Sequence, residues 1–326
     1  MSPEPAPGTT GRPWLVVVNF GSHHLLGENF APSAGPGAAG AGMVVVDNYS
    51  SDAERVAVTD LCRRQGWTLV GRATNDGFAA ACNAGVRAAQ EAGADSVVLV
   101  NPDAVVSPAV IDALAEQLAA EPLTLVSPVM VTSAGKPHFS GSRVDLRTGR
   151  MRGRTWDGDG VAGPAYLSSE WPYRDWLTGA CLAFRVSLWE QAGGLDERYF
   201  LYWEDVDFSQ RCVAAGARLC LRRDLVAVHD EGGTHGARGS RARSPLYYYY
   251  NCRNRLLYGS VHLERRELLR WLWTTPQQSW QILLRGGRRQ LLHSPRPLVA
   301  TVGGSLAGLL AAVPALLGRP GSLRKV

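Results

Sequence analysis

Cysteine does little to define this chain. Six are present in 326 residues, and none sits at CxxC spacing from another. A zinc ribbon is therefore not indicated, and reduced thiols buried as small hydrophobes are expected. Other signatures are missing too. After the first apolar run stands Asn19-Phe20-Gly21-Ser22-His23-His24, not GxGxxG, so a dinucleotide site is not indicated. No GxxxxGK[ST] occurs, which argues against a P-loop NTPase, and no GxSxG elbow points to a serine hydrolase. No histidine pair has zincin spacing. The N-terminal MSPEPAPGTTGRP lacks an apolar secretory core, so a cytosolic chain is expected.

What is present is an ample hydrophobic content of 45% and a net charge of +5 that is unevenly spread. From Arg238 onward arginine dominates and acids are few. That suits an anionic partner, a phospholipid surface or a phosphorylated carrier, better than nucleic acid. Length allows one large α/β domain with an appendage.

The first half alternates strand and helix patterns. Residues 14–19, 43–46, 68–71 and 96–100 are short apolar runs that fit buried parallel strands. Helices are expected over 53–65, capped by Ser51 or Asp52, over 79–92, and after Ser107 with Pro108 at its first position. A strand follows at 123–129. This β-α-β order predicts a mostly parallel sheet flanked by helices. Ligands of such sheets lie beyond the carboxyl ends of the strands. Asn19, Asp47, the Asn75-Asp76 turn and Asp103 all fall on that side. Each alone reads as a turn or capping residue; together they predict a rim suited to a base, a ribose and a hard cation held against phosphates.

Residues 136–172 read as a long loop or hairpin excursion, 176–184 as one strand, and 218–221 and 225–228 as two short strands. His229 then stands at a strand end, as a metal ligand or as a structurally satisfied histidine. Residues 193–211, GGLDERYFLYWEDVDFSQR, carry five carboxylates among aromatics. Two glycines open the stretch, and helical periodicity from Val206 puts Glu204 and Asp205 at a helix start. Free backbone N–H groups and aromatic neighbours there suit a general base. Acids also simply favour helix N-termini.

The motifs VVVDNYSSD (44–52), NDGFAAACNAG (75–85), VLVNPD (98–103), WLTGACLAFR (176–185), residues 193–211, HDEGGTH (229–235) and YYYYNCRNRLL (247–257) occur in one order. In that order the chain resembles inverting GT-A nucleotide-sugar glycosyltransferases of family 2, in the rhamnosyltransferase-like branch. The resemblance implies that Asp47 contacts the base or ribose, with Asn19, Asn75 and Asn83 lining the donor pocket. Asp103 stands at the DxD-type metal position, here Asn-Pro-Asp with one carboxylate fewer. It implies Mg2+ or Mn2+ held by Asp103 and His229. Asp205 is the implied catalytic base, with Glu204 its neighbour. Trp203 and Tyr202 either pack on the acceptor sugar or fill the core at the helix start. The family's HxxGxS differs here by one extra residue before Thr234. Its QxxRW is absent, which argues against a processive synthase.

The implied reaction is transfer of a sugar, dTDP-L-rhamnose being the preferred donor, to a hydroxyl of a glycan or polyprenyl-diphosphate-linked acceptor in cell-envelope assembly. UDP-galactofuranose or another UDP- or GDP-hexose is the alternative donor. A glycoside hydrolase with paired carboxylates and a non-catalytic sugar-nucleotide binder are the competing classes. The expected organisation is a disordered tail over 1–12, a catalytic domain over 13–258 and a helical, membrane-associating extension over 259–326. Within the extension, Trp271, Trp273 and Trp280 lie near Arg265, Arg266, Arg270 and Arg285. Residues 298–318 form a 21-residue uncharged run. Its Gly303, Gly304, Gly308 and Pro314 favour peripheral attachment at the inner face of the membrane over spanning, and a soluble helical cap is the alternative.

Overall fold

The computed structural model describes residues 13–31, 42–154, 163–229 and 243–318. The expected tail over 1–12, most of the glycine-rich stretch 31–42, and 230–235 with Thr234 lie outside the described residues.

The strand–helix alternation folds as its apolar runs dictate. The strands are β1 (Trp14–Asn19), β2 (Met43–Asp47), β3 (Thr68–Gly71) and β4 (Ser96–Val100). Helices α1 (His23–Asn29), α2 (Asp52–Gln65) and α3 (Phe78–Glu91) connect them. Every residue of β2 and β4 is buried, as helix cover on both faces requires. Ser51 caps α2 by accepting from the Glu54 N–H, and Gly66 ends it in the left-handed region. Alanines at 79–81 and Gly85 let α3 lie directly on β1 and β2; a Cβ on Gly85 would strike Val16.

Two short strands and a helix follow: β5 (Ala104–Val105), α4 (Pro108–Ala120), with its Ser107 cap and Pro108 at the start, and β6 (Thr124–Val131). Next come β7 (Pro137–Phe139), β8 (Ser142–Asp145), β9 (Arg150–Gly153), β10 (Pro164–Leu167), β11 (Tyr173–Trp176) and β12 (Cys181–Arg185). Helices α5 (Val186–Ala192) and α6 (Glu204–Ala214) precede β13 (Arg218–His229). The main sheet runs β10-β13-β6-β12-β4-β1-β2-β3, with β5 on β13 and β7 on β6. Strands β4, β1, β2 and β3 are parallel, and β12 runs antiparallel between β4 and β6.

Within the expected loop or hairpin excursion over 136–172, β8 and β9 form an antiparallel hairpin that β11 extends into a second sheet, β11-β8-β9, while β7 and β10 join the main sheet. The expected strand over 176–184 is broken. Its apolar residues belong to two strands in different sheets, joined by 177–180. The two strands expected at 218–228 are one, because a register shift between Arg222 and Val226 absorbs the charged residues without ending β13.

The C-terminal part is helical: α7 (Pro245–His262), α8 (Arg265–Trp273), α9 (Thr275–Leu283), α10 (Gln290–His293) and α11 (Arg296–Leu316). The expected division after residue 258 falls inside α7, and α8 begins where Glu264 and Glu267 form a capping box. Helix α11 packs on α7 through Thr301, Gly304, Gly308 and Ala312, all buried. A Cβ on Gly304 would enter the Tyr249 carbonyl, so the two backbones touch. Trp271 is fully buried, whereas Trp273 and Trp280 are exposed, so the expected aromatic surface comprises only the latter two.

Candidate active site

Parallel pairing sets Asn19 beside Asp47, and Asp47 beside Gly71, at one edge of the sheet. Asp47 is 1% exposed. Its Oδ2 accepts from Arg55 Nε at 2.8 Å, while Oδ1 has no protein partner. A buried carboxylate oxygen without a donor is costly, and a ligand N–H or hydroxyl would satisfy it. Arg55 also lies 4.8 Å from the centre of the Tyr49 ring, and Tyr49 has φ 40°. Next to it, Asn48 joins two loops: its amide donates to Asn75 Oδ1 (2.9 Å) and Gly77 O, and its oxygen accepts from the Asp76 N–H. Sequence reasoning missed Asn48 and Arg55. Their only signal is position, one and eight residues beyond Asp47.

Two expected pocket residues serve the fold instead. Asn19 is fully buried. Its amide donates to Glu54, and its oxygen accepts from the N–H and hydroxyl of Ser22, which shapes the turn into α1. Asn83 donates to Leu195 O and Glu197 Oε1 and accepts from Trp189 Nε1 and the Leu195 N–H. Its four hydrogen-bonding positions are filled, so it staples α3 to the acidic stretch and has none left for a ligand.

At the next strand end, the pairing of β5 with β13 brings His229 to Ala104 and hence beside Asp103. His229 Nε2 lies 3.1 Å from Asp103 Oδ1, and its Nδ1 is buried without a partner. The His138 ring packs edge-on against it at 5.1 Å. Asp103 Oδ1 and His229 Nε2, which face each other, are the atoms that would hold Mg2+ or Mn2+ between them, with Nδ1 on the far side of the ring. No group of three or more His, Cys, Asp or Glu suited to a metal occurs among the described residues.

The acidic stretch sorts into spent and available carboxylates. Asp196 pairs with Arg198, and Glu197 accepts from Asn83 and lies 3.9 Å from Arg87. Asp207 is fully buried between Arg211 Nε and His262 Nε2, each at 2.7 Å, and these partners hold its carboxyl below the usual range against the cost of burial. Glu204 and Asp205 have no cationic partner. Burial raises Asp205 to about 6, opposed by N–H donation from Gly179 (3.0 Å) and Val206 (2.8 Å). Burial and then the Asp205 charge push Glu204 well up, and its Oε2 has no partner. The pair titrates as a unit, with Glu204 holding the proton.

Backbone geometry points the same way. The non-glycine residues with left-handed φ among those described are Tyr49, Tyr202 and Trp203, the last two immediately before α6. Such conformations cost about 1–3 kcal/mol each and concentrate where a site over-determines them. Two loops tie the parts together. The Phe78 N–H donates to Phe200 O at 2.7 Å, joining the Asn75 turn to the acidic stretch. In the break between β11 and β12, Gly179 N–H meets Asp205, while Ala180 O accepts from the Asn101 N–H at 3.0 Å. Asp205 and the Asp103 loop are thus held by adjacent residues. Trp203 is 3% exposed, lies 5.4 Å from Tyr258 and lines a cavity. Tyr202 is half-buried, edge-on to Tyr247.

The sheet with its flanking helices is the GT-A fold of nucleotide-sugar transferases. The mannosyltransferase PcManGT from Pyrobaculum calidifontis, solved with GDP-Man and Mn2+, superposes with a TM-score of 0.53 at 18% identity over 97% of this chain and 90% of its own. Residues 42–164 match the family model for glycosyl transferase family 2. Over that segment the chain is similar to family 2 glycosyltransferases. N-acetylglucosaminyl-diphospho-decaprenol L-rhamnosyltransferase of Mycobacterium tuberculosis is 29% identical over 197 residues, 53% of this chain. The match spans 61% of that relative's length. The low-salt glycan biosynthesis hexosyltransferase Agl10 of Haloferax volcanii is 24% identical over 246 residues, 74% of each chain.

Proposed function

We propose that this protein is an inverting glycosyltransferase that moves a sugar from a nucleoside diphosphate to an acceptor hydroxyl, with Asp205 as the general base. The observation that carries this reading is the Glu204–Asp205 pair. Of the five carboxylates in 193–211 these two have no cation, and Asp205 is held by Gly179 beside the loop of Asp103. A carboxylate raised to about 6 is ionised at neutral pH yet basic enough to take a hydroxyl proton. Asp47 Oδ1 would accept from the base or ribose. Asn75, on the loop that Asn48 steadies, lines the same rim. Asp103 and His229 would hold Mg2+ or Mn2+, which supplies charge neutralisation of the leaving diphosphate. Asp205 takes the acceptor proton as its oxygen attacks the anomeric carbon opposite the diphosphate, so one displacement inverts the centre.

The preferred donor is dTDP-L-rhamnose and the acceptor a polyprenyl-linked glycan, in line with the printed name of the tuberculosis relative. Cell-envelope glycan assembly at the inner membrane face follows from that acceptor. Among the described residues α11 is the one helix long and apolar enough to cross a membrane. Its outer face carries Val299, Val302, Leu306, Leu310, Val313 and Leu317, all exposed, opposite the seam against α7. One apolar stripe with arginines on neighbouring helices fits an anionic membrane surface better than a span.

The test is calorimetric titration of dTDP and UDP, each with and without Mn2+, into wild type and Asp103→Ala. Metal-enhanced binding of dTDP that is lost in the variant is expected. Tighter UDP binding would reassign the donor to UDP-galactofuranose or another UDP-hexose, and absence of binding by any nucleoside diphosphate would refute the transferase reading.

A further inference from the structure

A cavity of 420 Å³ is lined by the β8–β9 turn, Trp203 immediately before α6, α7 and α9. Nothing in the donor chemistry uses it. Its walls carry Arg150 and Arg285 together with the amides of Asn251, Gln278 and Gln281, and no carboxylate lines it. Its charge is therefore one-sided. Behind the turn, Gly149 backs onto Arg255, which is 2% exposed. The Arg255 guanidinium donates to Thr148 O, Trp271 O and the hydroxyls of Thr274 and Thr275, with no carboxylate among these partners. Burial accordingly lowers it to about 9. A buried cation met only by neutral oxygens, beneath a wall already edged by two arginines, favours an anion in the cavity.

Two orphaned atoms refine the ligand. The indole N–H of Trp203 is buried without an acceptor, and the amide oxygen of Gln281 is buried without a donor. An unprotonated phosphate oxygen accepts from the first but cannot donate to the second. A hydroxyl satisfies the second. The volume is that of a small-molecule site, too small for a folded partner. Arg285 also donates to the Tyr247 hydroxyl (3.0 Å), and the Tyr247 ring abuts Tyr202, which precedes the acid pair by two residues. The cavity is thus wired to the backbone that presents Asp205.

We infer that this cavity binds a sugar phosphate, with Arg150 and Arg285 on the phosphate and Trp203 and Gln281 on the sugar, as the subsite that seats the acceptor's phosphorylated end. The inference rests on the transferase reading and makes it more specific. The phosphate can belong to a lipid-linked headgroup or to a soluble sugar phosphate, and the chemistry of recognition is the same.

The experiment titrates the full-length protein, saturated with dTDP, with N-acetylglucosamine 1-phosphate, inorganic phosphate and N-acetylglucosamine. The sugar phosphate should bind at least about tenfold more tightly than either fragment. Arg150→Ala/Arg285→Ala should weaken it by about tenfold or more, the usual worth of a charge-assisted donor. Gln281→Glu keeps the side-chain size, so it should fold, and its new charge should repel the ligand. Vesicles carrying an undecaprenyl diphosphate-linked sugar that compete with the soluble probe support a lipid-linked source; failure to compete supports a soluble one. Equal sugar-phosphate affinity in wild type and both variants, or inorganic phosphate binding as tightly as the sugar phosphate, overturns the site. Titration of dTDP alone separates the two ideas. If dTDP binds all variants normally, the donor site stands whatever the cavity does; if it binds none, the transferase reading has failed.

Discussion

Relative to Asp205→Asn, wild-type activity and wild-type stability should move in opposite directions with pH. The side chain keeps its size but only one of its two backbone hydrogen bonds, because Gly179 and Val206 donate to different carboxylate oxygens and an amide nitrogen cannot accept; it also loses the ability to take a proton. Removing a general base costs about 10²–10⁴ in rate. With a carboxyl at about 6, roughly nine-tenths of wild-type molecules carry the base at pH 7 and about one-tenth at pH 5. Transfer by wild type should therefore fall about tenfold between those values, while the residual rate of Asp205→Asn stays flat. Stability runs the other way. The folded carboxyl titrates above its unfolded value near 4, so its favourable contribution is complete below about pH 4 and lost as pH rises through about 6. The shift is worth at most about 2.7 kcal/mol, and partial solvent access brings it to about 2. Wild type should accordingly gain about 2 kcal/mol relative to Asp205→Asn between pH 7.5 and pH 4. Initial rates of sugar transfer across pH 5–8, with urea unfolding at both ends, test both halves. A variant retaining a third of wild-type turnover, or wild-type turnover flat down to pH 5, would remove Asp205 from the chemistry.

Asn83→Ala should destabilise the fold by about 2–4 kcal/mol in urea, because it orphans the Trp189 N–H and both backbone groups of Leu195 at once. Weaker dTDP binding without loss of stability would instead restore Asn83 to the donor pocket. Leu306→Asp with Leu310→Asp should cut binding to anionic vesicles by tenfold or more, since each exposed leucine that enters the interface is worth about 1.5–3 kcal/mol. The melting temperature should not change, both side chains being outside the core; unchanged vesicle binding would end the membrane assignment for α11.

Much of the sheet was legible because it needed only local information. Residues 14–19, 43–47 and 96–100 are apolar runs that stop at a polar residue, and that pattern has few other solutions. The Ser51 and Ser107 caps were equally local. Misreadings came where composition and geometry part. Residues 176–184 look like one strand because Thr178 and Gly179 interrupt little hydrophobicity, yet that interruption positions Asp205. Arg222-Arg223-Asp224 looks like a strand end, yet the register shift carries β13 through it to His229. Side-chain partnerships were the least legible. Asn19 and Asn83 lie where a rim residue should, and only partners 35 and 112 residues away show that both are occupied. Glu204 and Asp205 were already legible at a helix start, whereas the partners that occupy their acidic neighbours, Arg198, Arg211 and His262, were not.

The short link between β11 and β12 has a consequence for how such an enzyme can diversify. In the proposed mechanism Gly179 grips the Asp205 carboxylate through its N–H and Ala180 grips the Asp103 loop through its carbonyl, and neither link uses the side chain of the linking residue. The spacing between proton acceptor and leaving group is therefore a property of the backbone. Residues that choose the base, the sugar or the acceptor lie on other segments. On the proposed reading, changes at Asp47, Asn75 or the cavity lined by Arg150 and Arg285 retune what is joined to what while the reacting distance stays constant.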